Sequence, residues 1–183
     1  MKKGLNILPF LLIFALYSSA EGFRVGGSIG PYFVADSIYK DTYGSGNLIY
    51  HGFLSYDLSR HFEIRAELGY FKDKGEMTLT REEIKFSMVP IVLGMRAILV
   101  KVGKFSPYLG VGVDFCSFRE RARLGDTSGS TTGFHLEGGS YMDVGRGFSL
   151  DLGFRYVTAE AQPFDEKIKL GGWSAGFGVG YSF

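Results

Sequence analysis

The chain has 183 residues, enough for one domain with a real core, and its 45% hydrophobic content excludes a disordered polymer. Lys plus Arg (20) nearly cancels Asp plus Glu (19), so there is no excess positive field to gather nucleic acid, and no nucleic-acid partner is expected. The 27 Gly, 17 Phe and 11 Tyr describe a strand-rich chain with many close backbone approaches, and the single cysteine, Cys116, makes no intrachain disulfide and reads as a packed thiol.

In chain order, Met1-Lys2-Lys3 gives a positive start, Leu5 to Tyr17 is an apolar run, and Ser18-Ser19-Ala20 offers small residues before Glu21. This pattern predicts a secretory signal peptide over residues 1–20, cleaved after Ala20, with the mature domain at 21–183. The apolar run is shorter than the ~20 residues of a spanning helix and is interrupted by Pro9. Strands are predicted at about 22–33, 47–58, 62–70, 84–98, 106–116, 131–143, 148–156 and 173–183, from period-two alternation. The third reads FEIRAELGY, with Phe62, Ile64, Ala66, Leu68 and Tyr70 on one face and Glu63, Arg65, Glu67 and Gly69 on the other. The seventh, FSLDLGFRY, has the same design, and the last, WSAGFGVGYSF, sets large apolar residues against a face of only Gly and Ser. Between strands, residues 35–46, 72–83, 117–130 and 158–170 read as long polar loops, while 59–61, 99–105 and 144–147 are short turns. Long and short connections alternate, which describes an all-β, eight-stranded antiparallel up-and-down barrel with four loops at one end.

Such a barrel can be soluble, with apolar residues inside, or membrane-embedded, with apolar residues facing lipid. The aromatic pairs Phe62 and Tyr70, Phe148 and Tyr156, and Trp173 and Tyr181 each stand eight residues apart. At ~3.3 Å per residue and ~40° tilt, eight residues climb about 20 Å along the barrel axis, close to the height of a membrane barrel's apolar band with its aromatic girdles. The transmembrane reading follows, with these six aromatics at the lipid interfaces. By the same parity, Arg24, Glu63, Arg65, Glu67, Arg96, Asp114, His135, Glu137, Asp143, Asp151 and Arg155 point inward. Eight strands enclose only enough interior for side chains, so a paired charge network filling the lumen is expected rather than a channel. The Gly and Ser face of the last strand leaves room for it. Pro90 cannot donate to the ladder, so a bulge or distortion is expected in the fourth strand.

The signal-like start, the eight alternating strands, the segment SPYLGVGV at 106–113 and the terminal GVGYSF together resemble the small outer-membrane β-barrel proteins of Gram-negative bacteria, the OmpA/OmpX-like and Opa-like group. The resemblance spans the whole mature chain and implies an integral protein of the cell outer membrane. It also implies that Tyr181 and Phe183, in the terminal aromatic strand, act as a signal to the outer-membrane assembly machinery. No peptidoglycan-binding domain follows the barrel, so the tethering role of longer relatives is not implied.

For function, the resemblance leaves several classes open, since such barrels include adhesins, tethers, stress proteins and a few enzymes. A lipid A deacylase-type enzyme is the main alternative, with a narrow pore as a third. A hydrolase needs a base within hydrogen-bond reach of its nucleophile. His51, His61 and His135 have no Ser two residues later on the same face; His135 with Glu137 is the best acid–base pair, and His61 reads as solvated. No catalytic residue, metal site or cofactor is assigned. The expected role is structural or surface-interacting through the four loops, with outer-membrane lipid and lipopolysaccharide as surroundings, an extracellular ligand on the loops, and a monomeric state.

Overall fold

The computed structural model describes residues 22–44, 46–76, 83–123, 125–161 and 168–183, apart from the side chains of Ile38, Ala161 and Ile168. The signal peptide expectation therefore lies outside the described residues. Strands β1 (Phe23–Val34), β2 (Asn47–Ser59), β3 (Phe62–Glu76), β4 (Glu83–Ile98), β5 (Phe105–Ala122), β6 (Gly125–Gly145), β7 (Phe148–Ala161) and β9 (Gly172–Ser182) pair antiparallel with their neighbours. β7 pairs with both β6 and β9, and β9 with β1, so the sheet closes into a ring of eight. The two-residue strand β8 (Ile168–Lys169) pairs with the outer end of β7. Closure leaves no unpaired edge along the wall, the condition for a sheet surrounded by lipid.

The alternation read from sequence sets the wall. Phe62, Ile64, Leu68 and Tyr70 are exposed on the outside while Glu63, Arg65 and Glu67 are buried inside. The turns at one end are tight: Arg146 and Gly147 take positive φ of 55° and 81°, the twist-matched geometry of a two-residue hairpin.

Three expectations are corrected. First, the described residues of the connections at the other end are largely in regular structure. Residues 117–130 continue the β5–β6 ladder as far as Ala122 opposite Gly125, because the period-two pattern runs on through Phe118 and Glu120 on the inner side. Within 35–46 lies helix α1 (Ser37–Tyr43), started by Asp36, whose carboxylate accepts the Tyr39 N–H at 3.1 Å. β7 runs on to Ala161, and Lys169 pairs in register with Glu160.

Second, of the bulge or distortion expected at Pro90 only the milder form occurs: no residue is inserted, but the β3–β4 ladder lapses at Gly69–Pro90 and Tyr70–Val89. The β3–β4 pairing passes from Leu68–Ile91 to Phe71–Met88 without a change of register, and β5 stays paired through Pro90–Cys116. The ring needs space rather than an extra residue: a Cβ at Gly69 would come within 2.6 Å of Pro90 Cγ, so glycine there accommodates it. Irregularities occur instead at the turn end, between Asp57 and Ser59 and between Asp143 and Gly145.

Third, the interior is not polar along its whole height. At the helix end Tyr32, Val34, Ile49, Phe71, Phe86, Met88, Cys116, Phe118 and Leu170 form an apolar core inside the barrel, with Tyr39 from α1 among them. On β3, β4 and β5 the pattern inverts there, with Phe71, Phe86 and Phe118 inside while Lys72, Lys85 and Arg119 stand outside. At this end the ladder buries apolar groups inside and presents polar ones outside, as a soluble barrel does.

Candidate functional site in the barrel lumen

Below this apolar core the lumen holds a continuous set of ion pairs. Nearest the turns, Arg24 Nη1 donates to Glu63 Oε2 at 2.7 Å and its Nε to Ser182 Oγ at 3.2 Å, while its guanidinium lies over the Tyr141 ring. Gly180 provides the room, since a Cβ there would lie 2.9 Å from Arg24 Cδ. Tyr141 donates its hydroxyl to Glu63 Oε1 at 2.8 Å and accepts from Arg96.

Arg96 is the centre. It grips Glu137 with two nitrogens, Nε to Oε1 at 2.6 Å and Nη2 to Oε2 at 2.9 Å, and reaches Asp151 Oδ2 at 3.3 Å. Tyr108 donates to the other Asp151 oxygen at 2.8 Å and presents its ring to Arg96. Arg65 donates to Glu67 Oε1 at 2.6 Å, lies 3.2 Å from Asp151 and stacks on Phe53. Arg155 bridges Glu67 and Glu137, with Nη2 at 2.8 Å from an oxygen of each. Four guanidinium groups thus meet the carboxylates Glu63, Glu67, Glu137 and Asp151. Bidentate, charge-assisted contacts of this kind offset the cost of taking the charges out of water.

One level higher, His135 Nδ1 lies 2.8 Å from Asp114 Oδ2. His135 is thus a paired member of the lumenal network, but with Asp114 rather than Glu137, the best acid–base pair of the sequence, because Glu137 is taken by two arginines. His135 Nε2 has no hydrogen-bond partner among the described residues, and it faces the backbone glycines Gly94 and Gly112 rather than a hydroxyl. His61 is exposed in its turn. Asp143, expected inside, is exposed at the mouth, where it caps the Gly145 N–H at 2.8 Å and stands 3.9 Å from Lys101. Among the described residues, no group of three or more His, Cys, Asp or Glu is placed to hold a metal ion.

Tyr108, Tyr141 and His51 are inward-facing residues that the sequence reading missed. Tyr108 and Tyr141 follow from the same parity that placed Asp114 and Glu137, but neutral rings give no charge signal, and β2 contributed none of the charges read as inward that could set the parity of His51. The cap was also missed. Tyr39 donates to Asp73 at 3.0 Å and Tyr43 to Glu120 at 2.8 Å, tying α1 across the mouth. Burial first, and then the neighbouring carboxylates, push both phenols up from their ordinary range, so they stay protonated donors. Asp36 joins a second segment to the cap, accepting the Lys169 N–H at 3.0 Å on its other oxygen. Asp36→Ala is expected to cost about 1 kcal/mol of cap stability, read as faster amide exchange over 37–43 and 168–170 with the barrel wall unchanged.

The outer wall carries the six aromatics. Phe62, Tyr70, Phe148, Trp173 and Tyr181 are exposed, and Tyr156 is half-buried. Phe148 is the direct cross-strand partner of Tyr181 and Tyr156 that of Trp173, with ring centroids 5.0 and 4.3 Å apart. Between them the outward residues are mostly apolar, among them Leu68, Ile91, Leu152 and Phe177. Residues 7–183 match the model of a family described as the outer membrane protein beta-barrel domain. The chain belongs to this outer-membrane β-barrel family.

Membership places it in the outer membrane of a Gram-negative cell, and its fold recurs among solved barrels. OprG from Pseudomonas aeruginosa superposes with a TM-score of 0.67 at 15% identity, over 90% of this chain and 96% of that one. Neisserial surface protein A gives 0.65 at 16% identity, over 88% and 97%. Ail of Yersinia pestis, solved in complex with the heparin analogue sucrose octasulfate, gives 0.57 at 15% identity, over 89% and 99%. No curated protein matches the chain in sequence.

Proposed function

We propose that this family member is a non-enzymatic, monomeric barrel with a closed lumen, whose role is structural or surface-interacting and is carried by its helix-capped end, turned outward from the cell. The observation that carries this reading is the double seal. The Arg24–Arg65–Arg96–Arg155 network fills the lower lumen, and the Tyr39-capped apolar core fills the upper. Cavities of about 50 Å³ beside Arg155 and about 20 Å³ beside Cys116, room for only a few waters, support this reading. At the turn end the interior widens to about 440 Å³ around Arg24, Asp57 and Lys101, which is a vestibule below the seal.

Supporting the non-enzymatic reading, the Nε2 of His135, paired through Nδ1 with Asp114, has no hydrogen-bonded hydroxyl or thiol among the described residues. An unchanged lipid A mass spectrum in cells with and without the protein is the expected result, and loss of an acyl chain only when it is present would favour the deacylase alternative. In the same reading, residues 1–20 are removed on export, lipopolysaccharide surrounds the barrel, and Tyr181 and Phe183 address it to the assembly machinery. Ail's complex with a sulfated sugar supports an extracellular ligand at the capped end. Reconstituted into a planar bilayer, the purified protein is expected to give no unitary currents. Steady ohmic steps in every insertion would mean that the charges line a wet pore.

A further inference from the structure

Immediately beyond the aromatic girdle, one side of the outer wall turns from apolar to basic. On β3, outward Tyr70 is followed by Lys72 and Lys74; β4 contributes Lys85, and β5, after Phe115, contributes Arg119 and Arg121. All five are exposed. The register sets them side by side. Lys72, Ser87 and Arg119 form one cross-strand row, and Lys74, Lys85 and Arg121 the row above it. Like charges directly opposite one another destabilise a sheet, so three cations across three adjacent strands need a counter-charge. Glu83 supplies part of it, at 3.4 Å from Lys74 and 3.3 Å from Lys85, and Asp126 lies 3.8 Å from Arg121. One row further out, Glu76 stands opposite Glu83. Among the described residues these ion pairs leave Lys72 and Arg119 without a carboxylate. On the flanking strands the basic row gives way to uncharged residues: Leu48 of β2, next to Lys72 by the β2–β3 register, is an exposed leucine, and β1 presents Phe33.

Height and spacing define what fits. Each residue climbs about 2.5 Å along the axis at ~40° tilt, which puts Lys72 about 5 Å beyond Tyr70 and Arg119 about 10 Å beyond Phe115. Neighbouring strands lie ~4.8 Å apart, so the Lys72 and Arg119 backbones are roughly 10 Å apart with Ser87 between them. An anion over Ser87 is within reach of both long side chains. Directly below it lies the bare apolar surface of Leu68, Ile91 and Phe115. A molecule using both surfaces has acyl chains under a phosphorylated head.

We propose that this face of β3–β5 holds a phosphate of lipopolysaccharide in the outer leaflet, seated over Ser87 between Lys72 and Arg119, with Lys74, Lys85 and Arg121 above it. The assignment rests on the outward orientation of the capped end proposed above; binding by purified protein tests it without that orientation or the closed lumen. Native mass spectrometry of the barrel in detergent micelles would compare bisphosphorylated lipid A, the same lipid stripped of phosphate, and sucrose octasulfate. Bisphosphorylated lipid A is expected to bind, and Lys72→Gln with Arg119→Gln to weaken it roughly 25-fold, about fivefold per cation at an anionic lipid surface. The charge-preserving pair Lys72→Arg with Arg119→Lys retains binding, and Lys104→Gln, at the turn end, leaves it unchanged. Equal binding of the stripped lipid, or full binding by the Gln pair, overturns the proposal. Sucrose octasulfate held by the same residues without displacing lipid A would assign the face to a soluble sulfated sugar and overturn it too.

Discussion

Arg155→Ala is expected to destabilise the barrel in lipid vesicles by about 3–5 kcal/mol, the usual cost of breaking a buried ion pair, less whatever water entering the lumen restores. Arg155 joins Glu67 to Glu137 through one guanidinium with four hydrogen bonds of 2.8 to 3.2 Å, whereas Arg96, bonded to Glu137, stands 3.8 Å from Glu67. Removing Arg155 strands neither acid completely, because Arg65 still holds Glu67 and Arg96 still holds Glu137. The loss therefore belongs near the lower end of the range. Adding Glu67→Gln removes the charge that Arg155 neutralised, and part of the loss should return. The quantity to measure is the coupling in a double-mutant cycle on reversible unfolding, where residues sharing one network typically show 0.5–3 kcal/mol. Additive behaviour of Arg155→Ala with both Glu67→Gln and Glu137→Gln would mean that the charges are separately hydrated. The closed-lumen reading would then fail together with its prediction of no current.

How much of this network could be read from the sequence depends on what each residue signals. The wall was legible because every strand repeats one instruction at period two, and Glu63, Arg65 and Glu67 inside imply Ile64, Ala66 and Leu68 outside. Closure and register also determine partners, and those were not legible. His135 faces Asp114 rather than Glu137, two residues away on its own strand, because the diagonal neighbour across β5–β6 is nearer its ring nitrogen than a same-strand side chain competed for by Arg96 and Arg155. Tyr108 and Tyr141 were passed over because a lone tyrosine on an inward position resembles core filling. Yet the Tyr141 hydroxyl links Arg96 to Glu63, and the Tyr108 hydroxyl holds Asp151.

The capped end was the least legible part. Period two continues there with its polarity reversed, so a search for apolar-out strands stops at Tyr70 and takes Lys72 onward for loop. The reversal is informative in itself. On β3 it falls between Tyr70 and Lys72, and on β5 between Phe115 and Arg119, which marks where the outward apolar surface ends on each strand. The helix was hidden for a different reason: seven residues are too few for a periodic signal, and its stability comes from the Asp36 cap and from packing on Phe86 rather than from propensity.

Leu152→Arg tests the other half of the fold, the assignment of the outer face to lipid. Leu152 lies midway between Phe148 and Tyr156, is largely exposed, and has Ser140 and Phe177 as its cross-strand partners. If that surface meets hydrocarbon, an arginine near its middle should cost about 2–4 kcal/mol of folding free energy into vesicles, whereas a surface facing water would accept it almost freely. Ser149→Thr, three residues away and inward, adds one methyl beside Gly180 and should matter far less, since the small face of β9 leaves space there. Leu152→Phe keeps the surface apolar and should be near neutral, which separates a charge effect from a packing effect. The measurement is equilibrium refolding into vesicles for all three variants. Equal small effects for Leu152→Arg and Leu152→Phe would mean that the band is not in lipid, whereas a loss confined to arginine puts hydrocarbon against Leu152 and, by the register, against Phe177 beside it.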